Sequence, residues 1–436
     1  MDAAARRPYQ LSLVTRHFPR FTLPMQRPTL WLMLVVLLLG ILFLREPRLE
    51  RSEEFFLRWL LKNSDPHAPA ASLTVVDIGH DNLMEREPAK EGDESSPHSG
   101  INVVSPMEFA LFLQSALEFQ PTVIAFENVL KWREIEKDQE QVFSDQAMRV
   151  PRLLLAAELT TAPDPDTPGP EIPGFAQVTG KRGDLVEFSG ISRQPSEELR
   201  LIATAGFINL PEEISDGIHV PLLFRYRGEV IPSFALEAIL LWLRVTPGEV
   251  SIDLDSHISL PHGRKIPIRS DGTLLISPNA SRKARHIGLS DLLVAAQQRD
   301  TGKNPELGSL RDQIVLARTP ANPLSPPDVF AATIATIQSS AFVRRVSWIF
   351  DCVLLLLAAA VVGKLRDIPR VDLVLGAIAF TAAYCLAALG IISRWLIWLP
   401  GVLPLGAVWL LVAASVVIPH RHRVSREMIA MSPPVP

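Results

Sequence analysis

The stretch LTVVDIGHDNL, Leu73 to Leu83, decides how the chain is read. Leu73, Val75 and Val76 have the apolar, largely β-branched character of a buried strand, and the run stops at Asp77, followed by Gly79, His80 and Asp81. Strands of a parallel sheet are covered on both faces and read as near-continuous apolar runs, so this one belongs to an α/β sheet. A carboxylate and an imidazole at its carboxyl end admit two readings. They brace the following turn, or they line a pocket, because ligands in open parallel sheets bind outside the carboxyl ends of the strands.

Outward from this strand the pattern repeats. PMEFALFLQSALEF (106–119) has helical periodicity and is closed by Pro121. TVIAFENV (122–129) is a second strand, carrying Glu127 near its end, and a polar helix (134–149) and a strand (152–159) follow. Strands joined by helices predict a mostly parallel sheet, with Asp77 and Glu127 ending neighbouring strands. TAPDPDTPGPEIPG (161–174) is a proline-rich loop. A second block holds GFINL (206–210), the strand region 220–232 and the helix 234–243. Residues 251–278 read as antiparallel strands turning at His262-Gly263 and Asp271-Gly272. A helix over 288–298 capped by Ser290, an apolar strand over 313–319 and a helix over 331–345 that runs into the next apolar segment complete the region.

Apolar residues make up 47% of the 436 and gather in four runs: 28–44, 346–363, 371–393 and 395–419. At about 1.5 Å per residue, the last three are long enough for a hydrocarbon core roughly 30 Å thick. The first is shorter, and no small-residue cleavage site follows it, so it reads as an uncleaved anchor. Pro400 and Pro404 predict a kinked or broken start to the last run. Lys364, Arg366 and Arg370 in one loop and Arg421, Arg423 and Arg426 after the last run mark the cytoplasmic side. The expected organisation is a cytoplasmic tail (1–27), a first transmembrane helix (28–44), an extracytoplasmic domain (45–345), transmembrane helices at 346–363, 371–393 and 395–419, and a cytoplasmic tail (420–436). Residues 45–71 read as an amphipathic linker helix leaving the bilayer. The implied location is a bacterial inner membrane, multi-pass, with the large domain facing the periplasm and both termini cytoplasmic.

The domain 45–345 carries 31 Lys and Arg against 42 Asp and Glu, a net of −11, which argues against nucleic acid as a partner. Both cysteines, Cys352 and Cys385, fall in expected spans, leaving the outer domain without disulfide or thiol, as suits a periplasm.

The order of one anchor, a large exported α/β domain and three C-terminal spans resembles bacterial receptors with a type 2 CHASE domain (cyclases/histidine kinases associated sensory extracellular). The residues that carry the resemblance are VVDIG with Asp77, PTVIAFENVL, GFINLPEEISDGIHVPLLFRYRGEVIPSFALEAI, SDGTLLIS, RDQIVLA and VFAATIATIQSSAFVRRV. Together they extend over nearly the whole chain, 30–420. The chain departs from the family where Glu127 stands in place of the usual Asp, where REPAKEGDESSPHSGINV replaces a glycine- and tryptophan-rich segment, where Ile218-His219 follows the Asp216-Gly217 turn, and where Phe330-Ala331 opens the last helix. The resemblance implies an α/β sensory domain, with a mostly parallel sheet and added antiparallel strands, combined with four transmembrane helices. It also implies a signal-transducing role. Family members continue into a cyclase or kinase, whereas about 17 residues follow the last span here, too few for a catalytic domain. The expected partners are therefore the lipid bilayer, an unknown periplasmic ligand or protein, and an output protein in trans, with a homo-oligomer possible. The rival reading is a scaffold for an envelope complex.

The candidate ligand-binding residues are Asp77, His80, Asp81 and Glu127, which would hold a cation or a cationic ligand. Metal binding by Asp77, His80 and Asp81 alone is the weaker reading, because metal sites need three or four converging ligands. No nucleophile elbow, zinc-protease helix or phosphate loop is present, so neither an enzyme nor a cofactor is expected. Arg182-Gly183-Asp184 reads as a chance tripeptide in a polar loop. Asp351, six residues into the second span, is a candidate for signalling in the membrane, with Arg344 and Arg345 placed to pair with it.

Overall fold

The computed structural model describes residues 38, 40, 42, 46–65, 68–79, 104–132, 136–162, 172–210, 218–319, 328–365 and 370–417. In chain order its principal elements are α1 (Pro47–Asn63), β1 (Leu73–Asp77), α2 (Pro106–Glu118), β2 (Val123–Phe126), α3 (Lys137–Ala147), β3 (Leu153–Thr160), β4 (Gly190–Arg193) and β5 (Thr204–Phe207). There follow α4 (Phe234–Leu243), β6 (Arg285–Gly288), α5 (Leu289–Asp300), β7 (Ile314–Arg318), α6 (Val329–Ser339), β8 (Arg344–Arg345), α7 (Trp348–Leu365), α8 (Arg370–Trp395), β9 (Ile397–Trp398) and α9 (Val402–Val417). The expected first span and both tails lie outside the described residues, apart from helical positions at 38, 40 and 42.

The central sheet runs β6–β1–β7–β2–β3 with all neighbours parallel. At its far edge β3 pairs with β5 in parallel and with β4 antiparallel, across a register shift between Glu158 and Leu159. The mixed α/β class expected from the sequence is therefore observed. Because successive strand residues point to opposite faces, each strand feeds two cores. Leu73, Val75, Val123, Ala125, Ile314 and Leu316 pack on one face against α4 and α6. Val76, Ile124, Phe126, Val315 and Ala317 pack on the other against α2, α3 and α5. Phe126 sits within 5.7 Å, ring to ring, of Phe109, Phe112 and Phe143.

Antiparallel strands at 251–253, 257–259, 265–267 and 273–275 cover the expected region. The Asp271-Gly272 turn forms as read. Gly272 adopts φ +74, and the Asp271 carboxylate accepts from the Thr273 N–H and hydroxyl. Two local expectations fail. Gly288, not Ser290, is the N-cap of α5. The helix expected over 331–345 ends at Ser339, where Ser340 takes a left-handed φ of 54°, and the chain then extends into β8. Leu396, also left-handed, and Pro400 likewise delay α9 to Val402, the broken start that the prolines predicted.

The chain divides into two units: 1–46, 349–377 and 403–436 in one, 47–348 and 378–402 in the other. Among the described residues, one helix, Val371–Trp395, is long and apolar enough to cross a membrane by length and composition. The apolar helical stretches Trp348–Leu357 and Val402–Ala413 are shorter.

Phe126 is 1% exposed and packs against three aromatic rings. Phe126→Ala is expected to destabilise the larger unit by about 3–5 kcal/mol, measured by denaturant unfolding of the purified protein followed by far-UV circular dichroism.

Candidate functional site

The carboxyl ends of β1, β7 and β2 lie side by side. Register places Asp77 opposite Arg318, and Phe126 opposite Ala317, so Glu127 is level with Arg318 on the other side. Strand alternation then sets all three on one face: Asp77 continues Leu73 and Val75, Arg318 continues Ile314 and Leu316, and Glu127 continues Val123 and Ala125. The chain leaves β1 toward α2 on one face of the sheet and β7 toward α6 on the other. Connections diverging from adjacent parallel strands open a crevice at their carboxyl ends.

Asp77 and Glu127 are thus not on neighbouring strands, as the sequence had implied. β7 inserts between them, and its Arg318 organises the site. Arg318 Nε donates to Asp77 Oδ1 at 2.8 Å, and Nη2 lies 2.6 Å from the same oxygen. Arg318 Nη1 pairs with Asp328 Oδ1. Asp328 is the N-cap residue of α6, yet its side chain makes no capping hydrogen bond and its backbone is left-handed at φ 68°. An aspartate at this position ordinarily accepts from the first turn of its helix. Here the carboxylate is turned to the guanidinium, in a backbone conformation that costs of order 1 kcal/mol.

Glu127 is 5% exposed. Burial pushes its carboxyl up to about 7; Arg318 opposes that shift and Asp77 adds to it. Asp77 and Asp328 therefore share the Arg318 guanidinium, with the Glu127 carboxyl buried level with it. Asn128 is also buried, and its Oδ1 has no hydrogen-bond partner among the described residues. Among the described residues, no group of three or more His, Cys, Asp or Glu is placed to hold a metal ion.

Of the residues picked from sequence, Asp77 and Glu127 come together here. His80 and Asp81 lie outside the described residues. Arg318 and Asp328 were missed. Arg318 had a signal, a basic residue closing the apolar run IVLAR, but nothing in the sequence shows which strands that run separates.

Arg345 belongs to a different cluster in the same unit. It is 3.2 Å from Glu50 of α1, and its guanidinium lies 4.8 Å over the Trp398 ring. Arg344 and Arg345 pair in parallel with Ile397 and Trp398. Leu57, Leu60 and Leu61 of α1 pack there with Val343, Ala388, Ile392, Trp398 and Leu399. Asp351 is in the other unit, where it is buried.

Compared with known proteins, the chain matches no family model, no curated protein and no solved structure.

The sign of the Glu127 titration is testable. Its folded pKa, about 7, is above the ordinary 4.5, so the folded state holds the proton more tightly. The stability it contributes is full below pH 4.5 and is lost as pH rises through 7, by up to about 3 kcal/mol. Glu127→Gln mimics the protonated acid and is expected to lose stability less steeply than wild type between pH 5 and pH 8. Melting curves of both proteins across that range measure the difference; Glu237, which titrates in the same direction, is common to both.

Proposed function

We propose that the chain is a membrane-anchored, extracytoplasmic signal-transducing subunit. It has four transmembrane helices and passes the state of its α/β domain to a separate output protein. The observation that carries this reading is the path of the chain from the candidate site. Asp328, bound to Arg318 and through it to Asp77, opens α6. Five residues beyond α6, β8 pairs with β9 and enters the α1 cluster, and the next element in sequence is the apolar helix α7. A change of charge at the strand ends alters the Arg318–Asp328 pair, and with it the position of α6. The link toward the membrane is thus a helix followed by a strand pair, not the continuous helix expected from sequence.

Membrane residence is supported by the apolar surfaces of the C-terminal helices. Only 17% of the apolar window of Val371–Trp395 is buried, and Val371, Leu375, Ile378 and Leu386 are all more than half exposed. Such a surface requires lipid or another protein over it. The resemblance to type 2 CHASE receptors agrees with a sensory role.

The α1 cluster is the receiving end. Glu50 meets Arg345, buried Glu53 accepts the Gly401 N–H at 2.7 Å, and Glu54 accepts from Arg269 at 2.9 Å. Asn279 donates to the Leu61 and Ser64 carbonyls and closes the C-terminus of α1. α6 packs on the 278–283 turn that contains Asn279, a second route from α6 to α1.

Hydrogen–deuterium exchange on the full chain in lipid nanodiscs tests the coupling. Arg318→Met is expected to raise exchange at 341–346 and 396–401, more than 15 residues from the substitution in sequence. Changes confined to 319–332 would remove the basis for transmission through α6. Co-purification from native membranes distinguishes the roles: a kinase, cyclase or phosphatase supports signalling in trans, and only structural envelope proteins in fixed ratio support the scaffold.

Gly401 offers an independent check of the receiving end. A Cβ there would lie 2.3 Å from the Phe56 ring. Gly401→Ala is expected to displace the 396–401 segment, break the Glu53 contact and destabilise the protein by about 1–3 kcal/mol, read as a lowered melting temperature with faster exchange at 396–401.

A further inference from the structure

A cavity of about 450 Å³ lies at the β3–β5 edge of the sheet, away from the strand-end carboxylates. Its walls are mainly apolar: Leu155 of β3, Phe207 of β5, and Ile172, Ile191 and Pro232. That volume falls within the range of small-molecule sites, roughly 300–1,000 Å³. Into this apolar wall the chain places Glu237.

Glu237 interrupts the ten-residue helix α4, FALEAILLWL, at a position where its neighbours Leu236 and Ala238 are both fully buried. It is 8% exposed, and its carboxyl has no hydrogen-bond or ion-pair partner among the described residues. Burial alone pushes its carboxyl up to about 7. The other buried glutamates differ: Glu53 accepts the Gly401 N–H, and Glu108 and Glu127 also have partners. A leucine or methionine at 237 would close the wall without a desolvated acid, so the acid opposes stability where it stands. The remaining charged lining residues, Glu197 and Arg200, are exposed.

We propose that this cavity binds a small, mostly apolar molecule carrying one basic nitrogen, with its ammonium against the Glu237 carboxylate. The apolar walls take the hydrocarbon body. A protonated amine supplies the charge and the N–H donors that Glu237 lacks, and charge-assisted hydrogen bonds in a low-dielectric site are the strong ones. The assignment stands apart from the signalling reading, because an amine can fill the cavity whether or not its presence is transmitted to the membrane. The Phe234 ring of α4 lies 5.1 Å from the Phe330 ring of α6, so an occupied cavity acts on a helix that touches α6 directly.

The experiment is calorimetric titration of the full chain in nanodiscs with 2-phenylethylamine and its near-isostere 2-phenylethanol. The expected result is that the amine binds, that the alcohol binds about tenfold more weakly or less, and that Glu237→Gln weakens the amine by about tenfold or more without lowering the melting temperature. Ala205→Trp fills the cavity from an exposed lining position and leaves Glu237 intact; it is expected to abolish amine binding, and it decides the matter if the glutamine variant fails to fold. Equal binding of amine and alcohol, no binding of the amine, or amine binding that survives either substitution would overturn the assignment.

Discussion

One guanidinium governs the carboxyl end of the sheet. Arg318 reaches Asp77 across one strand boundary and Asp328 across the loop that follows its own strand, and Glu127 lies level with it on the other side. Asp77 and Asp328 share the Arg318 charge, and the Glu127 carboxyl is buried beside them. Two features mark the site. The most buried of the three, Glu127, holds its proton to near-neutral pH. Asp328 gives up the capping role that its residue type favours and accepts a left-handed backbone in order to reach the arginine. The strained residue sits at the head of the helix that leads away from the site.

The α1 cluster applies the same economy in reverse. Glu50, Glu53 and Glu54 lie three and four residues apart, on one face of a helix. Each is assigned to a different part of the unit: Glu50 to β8, Glu53 to the segment before α9, and Glu54 to Arg269 beside His219. Burial, reinforced by Arg269, holds His219 below the usual imidazole range. The neutral ring then accepts from Arg269 instead of competing with it for Glu54. One turn of helix therefore ties together three segments that are far apart in sequence, and moving any one of them strains the other two.

Much of this was readable from the residues. The apolar runs within 73–79, 122–129 and 313–319 announced strands of an α/β sheet, and the one-polar-in-ten helix 234–243 is legible to the residue. What failed was long-range. Strand order depends on which apolar edges meet, and no local pattern distinguishes β7 inserted between β1 and β2 from β7 added outside them. The Asp77–Arg318 pair, 241 residues apart, was therefore invisible, although both residues end apolar runs in plain sight. The continuous helix expected over 331–345 failed for a local reason. AFVRR has helix-compatible residues, but Ser340 turns left-handed, and the pairing of Arg344 and Arg345 with Ile397 and Trp398, with Trp398 beneath the Arg345 guanidinium, favours extended chain. Tertiary contact outweighed propensity there, as it commonly does in short segments.

The internal chemistry of α6 explains how it can be both buried and movable in the function proposed. The Thr333, Thr336 and Ser339 hydroxyls donate back to the carbonyls of Val329, Ala332 and Ala335, four residues earlier, at 2.6–2.7 Å. Each hydroxyl is thereby satisfied inside the helix and asks nothing of its surroundings. The flanks of α6 are left to apolar contact with α4, including the Phe234–Phe330 pair, which is non-directional. Polar attachment is found at the ends: Asp328 to Arg318 at the start, and Gln338 to the Ser72 carbonyl at the finish, one residue before β1 begins. A helix so held can shift along its neighbours without breaking hydrogen bonds through its middle, and its register is set where those end contacts are made. Both ends therefore report on β1, since Ser72 precedes it and Asp77 closes it. In the function proposed, this is how displacing Arg318 at one end of that strand is felt at the end that leads to β8.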